Sequence, residues 1–157
     1  MELSEIGQVI GLAALPIAEL RGAIPLALSH FDFTWYYAFL FAFIGNLIPV
    51  FVILLGFQPV TRLISRVEIG KRFLDWLFLH VRKRGRRTEK YERIGLALFV
   101  AIPLPITGAW TGSILAALRG YSFKYAFTSI VIGVIIAGIV VTSAWILGWN
   151  IFWLATS

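Results

Sequence analysis

Two long runs of this sequence contain no charged side chain, and they constrain the fold more than any other feature. Residues 34–57 are 24 consecutive positions without Asp, Glu, Lys or Arg, and residues 125–152 are 28 such positions. An α-helix rises about 1.5 Å per residue, so about 20 residues cross the roughly 30 Å hydrocarbon core of a bilayer. Both runs are predicted to be transmembrane helices, and the chain an all-α integral membrane protein.

The charged residues are concentrated between these two runs. The chain has 14 Lys and Arg and a net charge of +6, and residues 58–93 hold 11 of the 14. Cytoplasmic segments of membrane proteins carry such an excess of Lys and Arg. We therefore expect a multi-pass protein of the cytoplasmic (inner) membrane. Residues 58–93 are predicted to be a cytoplasmic linker with an amphipathic helix that binds membrane lipids, not nucleic acid.

Several kinds of chemistry are not expected from this composition. The chain has no cysteine, and its two histidines, His30 and His80, are far apart in the sequence. No nucleophile with a neighbouring base, no metal-spaced cluster and no nucleotide-binding loop can be recognised. We predict that the chain is not an enzyme and binds neither a metal nor a cofactor.

Two further apolar blocks, residues 3–28 and 94–118, are interrupted by proline and glycine. The prolines are Pro16, Pro25, Pro103 and Pro105. Proline removes a backbone donor and disfavours helix at the preceding residue, so each block is predicted to be helix, break and helix. Irregular backbone at membrane depth must be covered by protein or line a cavity. This favours a re-entrant helical hairpin over the alternative, a kinked spanning helix.

The placement of charge also favours re-entrant hairpins. With both blocks re-entrant and the linker inside, Arg119 and Lys124 lie on the cytoplasmic side with the other basic residues, whereas His30 and Asp32 lie outside. If all four blocks crossed the bilayer, Arg119 and Lys124 would lie outside, against the positive-inside tendency.

The two halves of the chain resemble each other. With a shift of 90 positions, residues 22–33 align with 112–123 and share five of twelve residues. Each half consists of a broken block followed by a spanning block. Each half would therefore cross the bilayer once, so the second half would have the opposite orientation to the first. We therefore predict an inverted repeat, a recurrent plan of transporters.

Glu19 and Arg21 are the main candidates for function because ionisable groups are costly inside a membrane. Burial favours the neutral form of a carboxyl group, so Glu19 is a candidate proton carrier. Arg21 stays charged and can bind a carboxylate or phosphate. The alternative is that both only satisfy backbone groups freed by the prolines.

The second break carries no charge but offers hydroxyl and amide groups near the start of a helix, where anions bind. Its candidate substrate contacts are Pro103, Pro105, Thr107, Gly108, Thr111 and Gly112, with Gly22 in the first break. Thr107, Thr111 and Ser113 could instead only cap helices. Asn46, in the middle of the first charge-free run, and Ser113 are candidates for helix packing or for lining a pathway.

The segments PIAELRGAIPLAL at 16–28 and AIPLPITGAWTGSILAAL at 101–118 resemble the paired signatures of the small multidrug export protein family. The layout is also similar to that of the DedA (SNARE-associated) family, which pairs re-entrant hairpins with spanning helices. The resemblance implies proton-dependent transport or movement of lipid phosphates. It also implies functional residues in both signatures, which are Glu19, Arg21 and Gly22 in the first and Pro103, Pro105, Thr107, Gly108 and Gly112 in the second.

Three functions remain open. The first is a proton-coupled transporter or flippase for an amphipathic substrate with an anionic head. The second is a proton-coupled exporter of cationic compounds, with Glu19 as the counter-ion, and the third is a non-transporting scaffold or assembly factor. Because two hairpins and two spans enclose little space, we expect a homodimer.

Overall fold

The computed structural model describes residues 2–64, 72, 89–103 and 107–156, and within them the chain is all-helical. The six helices are α1 (Leu3–Ala14), α2 (Glu19–Ser29), α3 (Trp35–Ile64), α4 (Glu89–Ala101), α5 (Ala109–Arg119) and α6 (Phe123–Thr156). Pro105 and most of the linker predicted at residues 58–93 lie outside the described residues.

The helices α3 and α6 are the two predicted transmembrane helices. Their segments Trp35–Phe57 and Phe123–Gly148 are long and apolar enough to cross a bilayer, which confirms the predicted length and apolar character of the two helices. In the most apolar 18 residues of each segment, only 33% of the residues are buried inside the protein. The large exposed side chains of α3 include Leu40, Ile44, Ile48, Phe51 and Val52, and those of α6 include Ile132, Ile135, Ile139, Val140 and Leu147. An apolar surface of this extent is typical of contact with lipid.

The two interrupted blocks each contain two short helices with a break between them. In the first block the break is residues 15–18. In the second block one helix ends at Ala101 and the next begins at Ala109, and the described residues of the break are 102, 103, 107 and 108. Pro16 lies in the first break, but Pro25 lies inside α2, so its assignment to the interruption is wrong. Proline is tolerated inside helices of membrane proteins because neighbouring groups satisfy the backbone atoms that it frees.

The contacts between helices follow the same pattern in both halves. The first helix of each block packs on the long helix of its own half, α1 on α3 and α4 on α6. The second helix of each block also contacts the long helix of the other half, α2 on α6 and α5 on α3. The long helices α3 and α6 contact each other. The two broken blocks therefore lie around a central pair of long helices.

A glycine of each long helix permits this close packing. Gly45 of α3 lies directly on the backbone carbonyl of Ile10 in α1, so close that an added Cβ atom would overlap it. Gly133 of α6 lies in the same way on the carbonyl of Ala97 in α4, where an added Cβ atom would be 2.6 Å from the oxygen. Small residues at helix crossings let backbones approach and so increase van der Waals contact.

Candidate functional site

The breaks of the two blocks lie against each other. The carboxylate of Glu19, which begins α2, accepts a hydrogen bond at 3.4 Å from the backbone N–H of Trp110, 91 residues away in sequence. The indole N–H of Trp110 donates to the carbonyl of Ala14, at the end of α1, at 3.1 Å. Both hydrogen bonds join the first block to the second, so they fix the position of α5 relative to α1 and α2.

Glu19 is buried and its backbone conformation is strained. The residue is 6% exposed, and its φ of +45° lies in the left-handed region that residues with a Cβ atom rarely adopt. Strain of this kind costs about 1–3 kcal/mol and persists only where surrounding contacts enforce it. Because such strain clusters at binding sites and switch regions, it marks Glu19 as a candidate for function.

Gly108 provides the space that the carboxylate of Glu19 occupies. A Cβ atom at Gly108 would overlap this carboxylate and lie 2.7 Å from Oε1. Gly108 also has a φ of +148°, a conformation that is essentially restricted to glycine. The next residue, Ala109, begins α5, so Glu19 lies at the positive N-terminal end of this helix, where a negative charge is stabilised. The group at this helix end is therefore a side chain of the protein itself.

A small cavity lies where the two breaks meet α3 and α6. Its volume is about 10 Å³, close to the smallest space that holds one water molecule. The side chains of Glu19, Arg21, Asn46 and Thr107 line it, with Pro103 and Gly108. The apolar part of the lining includes Val100, Val134 and Ala137.

Asn46 is the polar contribution of α3 to this cavity. The residue is 1% exposed, and its Oδ1 atom has no hydrogen-bond partner among the described residues. Buried polar atoms are almost always hydrogen-bonded, so an unsatisfied acceptor requires an explanation. The buried side chain faces a cavity of water size, which is consistent with a role in the site in addition to packing.

Arg21 lines both the small cavity and a larger one. Its guanidinium Nη2 donates to the carbonyl of Ile17 at 3.4 Å, and its charge interacts with that of Glu19. The larger cavity has a volume of about 310 Å³ and is open to the surface. It is lined by Arg21, Pro25, Pro103, Val140, Val141, Ala144 and Trp145. Among these residues Arg21 alone carries a formal charge.

The remaining described candidate residues, Gly22, Thr111, Gly112 and Ser113, do not line either of these two cavities. Gly22 faces Ala18 and Leu12, and Gly112 faces Val100, so both permit helix packing. The hydroxyl of Ser113 donates to the carbonyl of Ala109 at 2.6 Å within α5. Thr111, which is exposed, donates to the carbonyl of Gly108 at 3.4 Å.

Sequence reasoning missed Trp110, which holds the two breaks together. The signal was available, because an indole N–H is a donor only and needs a partner when it is buried. Its acceptor, the carbonyl of Ala14, becomes available where α1 ends, and no sequence pattern shows that this end lies beside α5. Among the described residues, no group of three or more His, Cys, Asp or Glu is placed to hold a metal ion.

The arrangement can hold a proton and an anion in adjacent places. Burial favours the neutral form of a carboxyl group, whereas amide donors and a nearby guanidinium favour the charged form. Glu19 experiences both influences, from burial on one side and from Trp110, Ala109 and Arg21 on the other. A carboxyl group with opposing influences can change its protonation state when its surroundings change.

Comparisons with known proteins bear on the whole of this region. No curated protein and no solved structure matches the chain. A family model described as "Putative small multi-drug export protein" matches residues 19–140. The match begins at Glu19, includes the second break and ends in α6, and it covers more than half of the chain. The chain therefore belongs to the small multi-drug export protein family.

Proposed function

We propose that this chain is a proton-coupled transporter that moves an amphipathic substrate with an anionic head across the cytoplasmic membrane. The observation that carries the proposal is the 310 Å³ cavity, which combines one guanidinium group with an otherwise apolar lining. Arg21 would bind a phosphate or carboxylate head, and Val140, Val141 and Ala144 would contact an apolar tail. The export function in the family's name is consistent with a transporter.

The proposal includes a topology in which both broken blocks are re-entrant. The helices α1, α2, α4 and α5 have 11 to 13 residues, about half the length needed to cross a bilayer. The small cavity touches Asn46, the twelfth of the 23 residues of the apolar segment of α3, and Val134, the twelfth of 26 in α6. The breaks would therefore meet near the middle of the bilayer.

An inverted repeat is the natural description of this topology. The equivalent contacts of α1 with α3 and of α4 with α6 support it, as do the exchanged contacts of α2 and α5. The matched glycines Gly45 and Gly133, each on a carbonyl of the first helix of its own half, provide independent support. We place the basic linker, Arg119 and Lys124 in the cytoplasm and the start of α3 outside, following the positive-inside tendency.

Glu19 is the residue that would couple transport to protons. It is buried, and Arg21 lies beside it on the same helix end, facing both cavities. A proton on Glu19 would remove the negative charge that interacts with Arg21 and leave the guanidinium available to an anionic head. Loss of the proton would restore the pair and release the substrate.

Reconstitution into liposomes tests the proposal. A fluorescent lipid phosphate is placed in one leaflet, and its transfer is followed with a membrane-impermeant quencher. We expect Arg21→Ala to slow transfer about tenfold or more, because a hydrogen-bonded charge pair with the head is lost. Glu19→Gln should abolish the acceleration by a pH gradient, since an amide of the same shape cannot take up the proton. Lys124→Ala is the charge-matched control and should transfer normally.

Two outcomes would redirect the interpretation. Normal transfer by both Arg21→Ala and Glu19→Gln would mean that the site assignment is wrong, as expected of a scaffold or assembly factor. Export of cationic dyes that survives Arg21→Ala but is lost in Glu19→Gln would favour the second candidate, an exporter of cationic compounds. The buried carboxylate of Glu19 and the family's name favour that candidate.

A homodimer is part of the proposal. Within the described residues of one chain, the cavity at the centre of the site has room for only about one water molecule. A pathway for an amphipathic substrate would then run along the surface of a single chain or between two copies. Crosslinking of single introduced cysteines on the exposed faces of α3 and α6 in membranes would distinguish these arrangements.

A further inference from the structure

A second charged site lies between α4 and α5, at the ends of these helices that are away from the two breaks. Arg119 ends α5, Tyr121 lies two residues later, and Glu92 is in the first turn of α4. A cavity of about 200 Å³ opens beside these side chains. It lies at the start of the apolar segment Phe123–Gly148, hence at the level of one membrane surface.

The hydrogen-bonding capacity of Arg119 is poorly used. Its Nη1 atom is 3.8 Å from Glu92 Oε1 and donates to the hydroxyl of Tyr121 at 3.4 Å. Both contacts are long and involve the same nitrogen. The Nε atom is buried and has no hydrogen-bond partner among the described residues. A partly exposed ion pair at this distance contributes little, and a buried unsatisfied donor is unfavourable.

The cavity beside Arg119 is amphipathic. Its polar side consists of Arg119, Tyr121 and Glu92, and its apolar side of Leu96, Phe99 and Leu115. Burial raises the pKa of Tyr121, so its hydroxyl stays protonated. A neighbouring cation, Arg93, lies over the ring of Tyr125 at 4.5 Å. Arg93 and Arg119 together outweigh the single acid Glu92, so these described side chains carry a net positive charge.

We propose that this cavity binds the phosphate of an anionic phospholipid, with the Arg119 guanidinium as its main ligand. The phosphate oxygens would accept from Nε and Nη2, the edge of the guanidinium that Glu92 and Tyr121 leave unused, after a small rotation of the side chain. Arginine binds phosphate through two parallel hydrogen bonds of this kind. The first part of an acyl chain would lie on Leu96, Phe99 and Leu115. The site does not depend on the transport proposed above.

The ligand is assigned to the lipid class because of the position and lining of the cavity. Phosphate groups of the bilayer lie at the ends of transmembrane segments, where Arg119 is found. Glu92 would repel any anion, and a soluble anion would gain nothing from the apolar side to offset this repulsion. A lipid combines the charge interaction with burial of apolar surface, and it is present at high local concentration.

Binding of defined lipids to the purified full chain in neutral detergent tests this site. Native mass spectrometry would compare phosphatidylglycerol, which is anionic, with phosphatidylcholine, which is zwitterionic, and with inorganic phosphate. We expect preferential binding of phosphatidylglycerol, weakened about tenfold by Arg119→Ala because hydrogen bonds to a charged group are lost. Glu92→Gln should strengthen binding several-fold, because it removes the competing carboxylate.

Two controls keep the result interpretable. Lys124→Ala removes an exposed positive charge near the same membrane surface and should change lipid binding little. Arg119→Lys keeps the charge but not the two-pronged geometry, and should bind more weakly than the wild type even if Arg119→Ala does not fold. Equal losses in Lys124→Ala and Arg119→Ala, or saturation by inorganic phosphate alone, would overturn the assignment.

Discussion

The two breaks of this protein differ in chemistry and depend on each other. The first is four residues long and leads directly into Glu19 and Arg21, whereas the sequence between Ala101 and Ala109 carries no charge and ends at Gly108. The first break thus provides a buried carboxylate, and the second provides the N-terminal end of α5, which stabilises it. An equivalent site could not be built from two copies of either break.

The substitution that most strongly disrupts the contact between the two breaks should be Gly108→Ala. The added Cβ atom would overlap the carboxylate of Glu19, and the backbone φ of +148° is unfavourable for alanine. We expect the free energy of unfolding to fall by on the order of 3 kcal/mol, from backbone strain together with overpacking. Unfolding of the purified protein in mixed micelles, titrated with a denaturing detergent, would measure the change.

Gly11→Ala is the matched control in the first block. An alanine at Gly11, inside α1, would meet no atom within 4 Å. Because alanine favours helix over glycine, this variant should be unchanged or more stable by up to about 1 kcal/mol. If Gly108→Ala were as stable as Gly11→Ala, the carboxylate of Glu19 would not lie against the second break.

A second comparison, between the two halves of the chain, should give effects of intermediate size. Gly45→Ala and Gly133→Ala each place a methyl group against the carbonyl of the first helix of their own half, at Ile10 and Ala97. We expect each to lower the free energy of unfolding by about 1–3 kcal/mol, because the helices must separate. The same denaturing-detergent titration checks both.

Each of these glycines has a counterpart on the same helix with free space around it. An alanine at Gly56 of α3 or at Gly148 of α6 would meet no atom within 4 Å. These variants should leave stability nearly unchanged. Should only one of Gly45→Ala and Gly133→Ala be destabilising, the two halves would not be equivalent and the repeat would lose its structural support.

Much of the fold could be predicted because it depends on properties that are local in sequence. The absence of charge over residues 34–57 and 125–152 is sufficient to indicate two long apolar helices. Pro16 and the prolines of residues 103–105 indicate two interruptions. The assignment of Pro25 to the first interruption is wrong, because a proline inside an apolar helix is tolerated when neighbouring groups satisfy the backbone.

The site could be predicted only in part because its geometry depends on contacts between distant residues. Glu19 and Arg21 stand out as charges in an apolar block, and Gly108 as part of an interrupted one. That Glu19 lies at the start of α5, and that Asn46 shares its cavity, follows from the packing of four helices. The assignment of Gly22 and Gly112 as substrate contacts stays a prediction, and the structure adds that both lie in close helix packing.

The smallest effect is expected from Trp110→Phe, which tests the link between the breaks rather than either break alone. Phenylalanine keeps most of the apolar contact but loses the indole N–H that donates to the carbonyl of Ala14 at 3.1 Å. We expect the free energy of unfolding to fall by about 0.5–1.5 kcal/mol, the usual net contribution of one hydrogen bond. The backbone N–H of Trp110 would still reach Glu19. In a double variant with Glu19→Ala, which removes the acceptor, the combined loss should therefore exceed the sum of the two single losses if either hydrogen bond alone can hold the breaks together. Additive losses would mean that the two hydrogen bonds act independently.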